Sequence, residues 1–312
     1  MKELSIVIPV FNSQENLEEL NRRIKDALQG ISYELILVND CSADNSWDII
    51  KSLAQNDKNI TAINLRKNFG QDNALMAGLK HSSGNFVVIM DDDLQHSPYD
   101  ILRLYDKCKE GYDVCYAEFA EKKQAVWKKL GSSINGVVAR ILFQKPKGVY
   151  LSPFKIIKGE VVKDILQYSG PFPYIEGLLL QVTRHVTSVK TEHHKRLKGK
   201  SNYNFIRSCS VFLRTFTSFS VIPLRLATII GLITSLLGFL AATYYLIEYF
   251  TNNYRLEGWT SLIISILVIG GLGLTFMGLI GEYLGRMFLT VNNKPQYSIR
   301  EVITEEKKNE QR

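Results

Sequence analysis

The chain has 312 residues, 46% of them hydrophobic and 22% charged, enough for one sizeable globular core plus additional segments. Its 38 Lys and Arg against 31 Asp and Glu leave a net charge of +7, which suits contact with anionic lipid. No helix-turn-helix, zinc-finger or aromatic RNA-binding signature accompanies that charge, so nucleic acid is not expected as a partner. The cysteines Cys41, Cys108, Cys115 and Cys209 lack CxxC spacing and close neighbours, and read as free thiols in a reducing compartment.

The first apolar run, Leu4 to Phe11, is short, follows a single Lys and has no small-residue cleavage pattern, so it reads as a strand and not as a signal peptide. Leu4 to Val10, Glu34 to Asn39, Ile60 to Leu65 and Phe86 to Met90 are Ile/Val-rich runs separated by stretches with helical spacing. That order predicts an α/β fold of Rossmann-like type, a mostly parallel sheet covered by helices. Ligands of such sheets sit beyond the carboxyl ends of the strands. Here those ends carry Pro9-Val10-Phe11-Asn12, Asn39-Asp40-Cys41-Ser42, Arg66-Lys67-Asn68-Phe69-Gly70 and Asp91-Asp92-Asp93-Leu94-Gln95, which should converge on one crevice.

Three consecutive aspartates repel one another and call for a cation. Strand alternation would send Asp91 and Asp93 to one side, where they can share a divalent ion, and Asp92 to the other, where it caps or hydrogen-bonds. Gln95 adds a neutral oxygen, and an all-oxygen set points to Mg2+ or Mn2+ and away from zinc. Asp40 is placed to accept from a nucleobase N–H, and Arg66, with Lys67 and Asn68 beside it, to offset diphosphate charge. A metal there would neutralise a departing nucleoside diphosphate.

Further along, Trp127, Leu130, Ile134, Val137, Val138, Ile141 and Leu142 recur at helical spacing among lysines, describing a basic amphipathic helix. Membrane-surface and core-packed positions both remain open for it. His193 to Tyr203 concentrates cations and hydroxyls, and a phosphate monoester fits there: Arg196 gripping it bidentately, Lys200 adding a point charge, Ser201 donating a hydrogen bond. The plainer alternative is a juxtamembrane basic stretch held by anionic lipid in general. Residues 204–222 form a second amphipathic, juxtamembrane helix running into Leu226 to Ile247, which with Gly258 to Gly281 contains no charged residue. Each of these two stretches reaches the roughly 20 residues that cross a bilayer as a helix. Arg207, Arg214 and Arg225 precede the pair and Arg286, Lys294 and Arg300 follow it, against Arg255 alone in the connecting loop, which puts both ends in the cytoplasm. The expected organisation is therefore a cytosolic catalytic domain over 1–203, the juxtamembrane helix over 204–222, a two-helix transmembrane region over 223–285 and a cytosolic tail over 286–312, charged and disordered after Ile303.

SIVIPVFN, LILVNDCSADNSW, LRKNFGQDNALMAGL and VVIMDDDLQHSP resemble, in order and spacing, the family-two glycosyltransferases of GT-A fold, in particular the polyprenyl-phosphate branch with dolichyl-phosphate mannose synthase and the bacterial undecaprenyl-phosphate glycosyltransferases. The likeness continues through GKSNY, the SFSVIPLR junction and both apolar stretches. It implies that Pro9 and Asp40 hold the base, Asp91 and Asp93 the metal and diphosphate, and that Gln95 completes the metal site; Gly199 and Tyr203 match the acceptor region. It further implies a homo-oligomer in the inner (cell) membrane, transferring one sugar with inversion from a nucleotide-sugar, UDP-linked by analogy with bacterial relatives, to a polyprenyl phosphate for cell-envelope glycan modification. A lipid phosphate is already a competent nucleophile, so the site's task is positioning more than base catalysis. Many relatives carry an acidic residue before a Phe-Arg or Phe-Lys pair; Leu151-Ser152-Pro153-Phe154-Lys155 has none, and Glu176 is the candidate catalytic carboxylate in its place, beside Asp93 and Arg196. Two rival readings stand: a processive polysaccharide synthase, for which Gln181-Val182-Thr183-Arg184-His185 approaches QxxRW but lacks the Trp, and a non-catalytic membrane subunit that binds nucleotide-sugar, which the intact DDDLQ argues against.

Overall fold

A computed structural model of the protein describes residues 2–119, 146, 148–191, 222–252, 258–292 and 294–304. Strands β1 (Leu4–Val10), β2 (Tyr33–Asn39), β3 (Ile60–Leu65) and β4 (Phe86–Ile89) alternate with helices α1 (Leu17–Ala27), α2 (Ser46–Asn56), α3 (Gln71–Lys80) and α4 (Asp100–Lys109). There follow β5 (Val114–Phe119), β6 (Lys155–Lys158), α5 (Gly159–Ile165), α6 (Ile175–Val182) and β7 (Val186–Thr191), then α7 (Ile222–Asn252), α8 (Trp259–Val291) and β8 (Ile299–Ile303). The chain divides into two compact units, Met1–Asn202 with Asn293–Arg312, and Tyr203–Asn292.

The first unit is built on one eight-stranded sheet in the order β7-β5-β6-β4-β1-β2-β3-β8. Pairing is parallel among β4, β1, β2 and β3, as the alternating pattern predicts, and parallel again between β5 and β7; β6 and β8 run antiparallel to their neighbours, so the sheet is mixed. Every residue of β1 is buried because helices cover both faces of the central strands. On α1 the residues Leu17, Leu20, Ile24 and Ala27 face inward at three- and four-residue steps, while Glu19, Arg22, Arg23 and Asp26 pair along the outer face. Helix α3 lies so close to the sheet that a Cβ on Gly78 would come within 2.4 Å of Val7 Cγ1 and 3.0 Å of Val38 Cγ2. Only a residue without a side chain permits that approach.

Of the segment expected as a tail over 286–312, the described residues 286–292 and 294–304 take part in the structure of both units. Helix α8 runs on to Val291, and β8 pairs with β3 in the register Ala62↔Ile303, Ile63↔Val302, Asn64↔Glu301. Gln296 Nε2 donates to the carbonyls of Tyr168 (2.7 Å) and Gly170 (2.8 Å), and the Arg66 N–H donates to the Ser298 carbonyl (2.9 Å). A backbone edge without a partner invites pairing, and β8 supplies that partner for β3.

In the second unit, α7 has 31 residues and α8 has 33, roughly 45–50 Å each at 1.5 Å per residue, longer than a hydrocarbon core of about 30 Å. Their windows long and apolar enough to cross a membrane are Leu224–Ala241 and Val268–Val291, the second shifted from the expected Gly258 to Gly281. Thr234, Thr243, Thr251 and Thr275 return their hydroxyls to carbonyls one turn back, which satisfies these donors without water. The amphipathic helices expected around 127–143 and 204–222 lie outside the described residues.

Candidate active site

The loops after β1, β2, β3 and β4 meet at a cleft of about 290 Å³ lined by Pro9, Val10, Phe11, Asp40, Asn68, Gly70, Gln71, Asp91, Asp92 and Asp93. Among the described residues, the non-glycine positions held at left-handed φ are Asn12 (54°), Cys41 (57°) and Leu94 (58°), one in each of the loops after β1, β2 and β4. Such conformations persist where the surroundings enforce them, and they gather at binding sites. The enforcing contacts here run between loops: the Asn12 N–H donates to Ser42 Oγ (3.0 Å), the Ala43 N–H to Asn12 Oδ1 (2.8 Å) and the Phe11 N–H to Asp92 Oδ2 (3.3 Å).

Asp40 is buried at the cleft wall and braces the loop after β3. Its Oδ1 accepts from the Phe69 N–H (2.7 Å) and its Oδ2 from the Gly70 N–H (2.9 Å). Burial pushes its carboxyl above the ordinary range, and the two backbone donors pull against that rise. Gly70, at φ 91°, turns the chain into α3 at this point. Asp40 therefore has a structural duty that its motif does not announce; any contact with a base uses lone pairs left over from it.

The three aspartates lie in a loop, because β4 ends at Ile89, so strand alternation does not set their directions. All three line the cleft, and the loop turns at Leu94 just beyond them. Asp92 turns to the loop after β1, and burial, reinforced by the charges of Asp91 and Asp93, drives its carboxyl up to about 6. Asp91 Oδ1 accepts from Gln71 Nε2 (2.8 Å), and Asp93 Oδ1 from the Gln95 N–H (3.1 Å). Among the described residues no group of three His, Cys, Asp or Glu side chains is placed to hold a metal ion. Two carboxylates on one polar cleft fit a hard divalent cation whose other ligands are oxygens of a bound nucleotide and water.

The structure thus brings Pro9, Asp40, Asn68, Asp91 and Asp93 to one cleft and leaves Arg66, Gln95 and Glu176 off its walls. Arg66 is exposed, with its backbone tied to β8. Glu176, in the first turn of α6, is engaged elsewhere: Oε1 pairs with Lys155 Nζ and Oε2 accepts from Tyr116 Oη (2.9 Å). Lys155 is itself buried, and Asp72 on α3 feels both charges; burial raises the Asp72 carboxyl to about 6, with Lys155 opposing and Glu176 adding to the shift. Glu176 is accordingly one member of a buried charge cluster joining α3, β5, β6 and α6. Lys155 was visible in the sequence as the Lys of Phe154-Lys155, but its partner lies 21 residues away and no local pattern points to it. Arg196, Lys200, Ser201 and Tyr203 lie outside the described residues.

A mixed α/β sheet with a polar cleft at the carboxyl ends of its parallel strands defines the class: a Rossmann-like α/β domain of GT-A type. The family model described as glycosyl transferase family 2 matches residues 5–217, and the chain belongs to that family and is a glycosyltransferase. Among curated relatives, a glycosyltransferase of Synechocystis sp. is 34% identical over 95% of this chain and 94% of its own length. The undecaprenyl-phosphate 4-deoxy-4-formamido-L-arabinose transferase of Photorhabdus laumondii subsp. laumondii is 30% identical over 99% and 97%. Of solved structures, glucosyl-3-phosphoglycerate synthase from Mycobacterium tuberculosis, in complex with Mn2+, UDP and phosphoglyceric acid, superimposes with a TM-score of 0.52 at 16% identity, over 70% of this chain and 78% of that one, a likeness of fold.

Proposed function

We propose that the protein transfers a single sugar, with inversion, from a UDP-linked donor to a polyprenyl phosphate such as undecaprenyl phosphate, at the cytosolic face of the inner membrane. The observation that carries this reading is the conjunction of the Asp40–Asn68–Asp91–Asp93 cleft with near-full-length similarity to an undecaprenyl-phosphate sugar transferase. The likeness of fold to an enzyme complexed with Mn2+ and UDP supports a divalent cation, Mg2+ or Mn2+, and a uridine nucleotide.

In this reading Pro9, Asp40 and Asn68 receive the nucleoside and diphosphate, and Asp91 and Asp93 hold the cation. When bound, the cation supplies charge neutralisation for the departing diphosphate. The chain's own part is positioning: the cleft orients the donor, and Arg196, Lys200, Ser201 and Tyr203 hold the acceptor phosphate. Strands from both sides of α7 and α8 in the chain share the first unit's sheet, which supports two crossings with the catalytic domain and tail segment on one side. The distribution of loop cations supports a cytoplasmic position for that side. The bare apolar faces of α7 and α8 would meet lipid and other copies in a homo-oligomer.

The test is purified full-length protein in detergent or nanodiscs with a panel of nucleotide-sugars, undecaprenyl phosphate and Mn2+ or Mg2+. The expected product is one sugar per lipid phosphate, formed only with divalent cation. Long glycan chains would identify a processive synthase, and no turnover with any donor a binding subunit.

A further inference from the structure

We infer that Gln71 is a positioning residue for the transfer reaction: its side-chain amide holds the Asp91 carboxylate in the orientation in which it meets the divalent cation. This rests on the reading of Asp91 as a metal ligand. Gln71 opens α3, lies 20 residues before Asp91, and faces the same cleft, where Nε2 donates to Asp91 Oδ1 at 2.8 Å. Because an ionised carboxylate only accepts, the amide must present its NH2, and the assignment of its nitrogen follows from chemistry.

The anchor behind Gln71 is what makes it suitable. One residue before it, the Gly70 N–H is held by Asp40; one residue after it, Asp72 is set against the buried Lys155 and Glu176. Beyond these, Ala74 to Leu79 are buried, and Gly78 seats the helix on β1 and β2. The amide is thus presented from a rigid element, whereas Asp91 belongs to a loop that has left its strand. A hydrogen bond to Oδ1 favours one orientation of the carboxylate about its Cβ–Cγ bond. Being neutral, Gln does this without cancelling the charge that attracts the cation; a Lys at the same position would compete with the metal.

The experiment measures Mn2+ binding to the detergent-solubilised full chain by electron paramagnetic resonance, alone and with UDP, and UDP affinity in EDTA. Gln71→Leu keeps the bulk and removes the donor. Ligand-orienting partners of this kind are worth roughly 10- to 100-fold in metal affinity, so Gln71→Leu should weaken Mn2+ about tenfold and leave UDP binding in EDTA at the parental value. Asp91→Asn is the reference. If it loses Mn2+ while Gln71→Leu binds like the parent, the role of Gln71 is overturned and the metal reading stands. If Asp91→Asn also binds like the parent, both fall. An equal loss of metal-free UDP binding in Gln71→Leu would mark a general distortion of the cleft and overturn the inference as well.

Discussion

The same residue types have opposite fates in the two units. Ile8 and Val38 are fully enclosed, whereas Ile233 is 53% exposed, Phe239 70% and Leu274 72%. In the first unit a side chain is apolar because the sheet and helices must exclude water around it. On α7 and α8 these large apolar side chains point outward from helices whose own backbone bonds are already complete, so their apolarity answers to the surroundings and not to a core. The difference teaches that hydrophobicity counts alone do not say what a residue packs against; the period and length of the apolar run do.

The largest test of the contrast concerns where the chemistry resides. Asp93→Asn should lower transfer to undecaprenyl phosphate by about 10³-fold, since charge stabilisation at a leaving group is worth several kcal/mol, while Leu236→Ala on α7 should leave the rate within about twofold. A severe loss from Leu236→Ala, in single-turnover measurements, would break the division.

Next is the buried charge cluster. Lys155→Met removes the enclosed partner of Glu176 and should cost about 3–5 kcal/mol of stability, seen as a lowered chemical-denaturation midpoint of the domain signal. A parental midpoint would mean that water or another cation reaches Glu176.

Truncation in the two apolar settings sharpens the comparison directly. Leu37→Ala in β2 should destabilise by about 2–5 kcal/mol because it opens a cavity in a closed core, against less than about 0.5 kcal/mol for Leu236→Ala in detergent. Equal costs would show that Leu236 is packed against protein.

The smallest effect is a pH dependence. With its folded pKa raised by burial to about 6 from 3.8, Asp72 binds its proton more tightly in the native state than in the unfolded one. Its contribution is fully present below about pH 4 and is lost as pH rises to about 6, and it stays lost above that. Asp72→Asn should flatten this part of the stability profile and raise stability at pH 7 by roughly 2 kcal/mol; an unchanged profile would place Asp72 in water.

Much of the architecture is legible along the chain. The four parallel strands, their helices and the two long apolar helices follow from periods of 2 and 3.6 residues and from run length, which are properties of neighbours in sequence. The polar strand ends identify the cleft for the same reason, because a parallel sheet collects the carboxyl ends of its strands on one side. Contacts across tens of residues are not written in any period. Asp40 reaches Phe69 and Gly70, Gln71 reaches Asp91, Lys155 finds Glu176, and Ile299 to Ile303 return to close the edge of β3. Local pattern therefore established which segments are strand, helix or apolar span, since backbone geometry and solvent preference act residue by residue. Only the folded arrangement decided which carboxylates face the cleft and which are tied to buried partners, because a charge takes its role from whatever the tertiary packing places within hydrogen-bond reach.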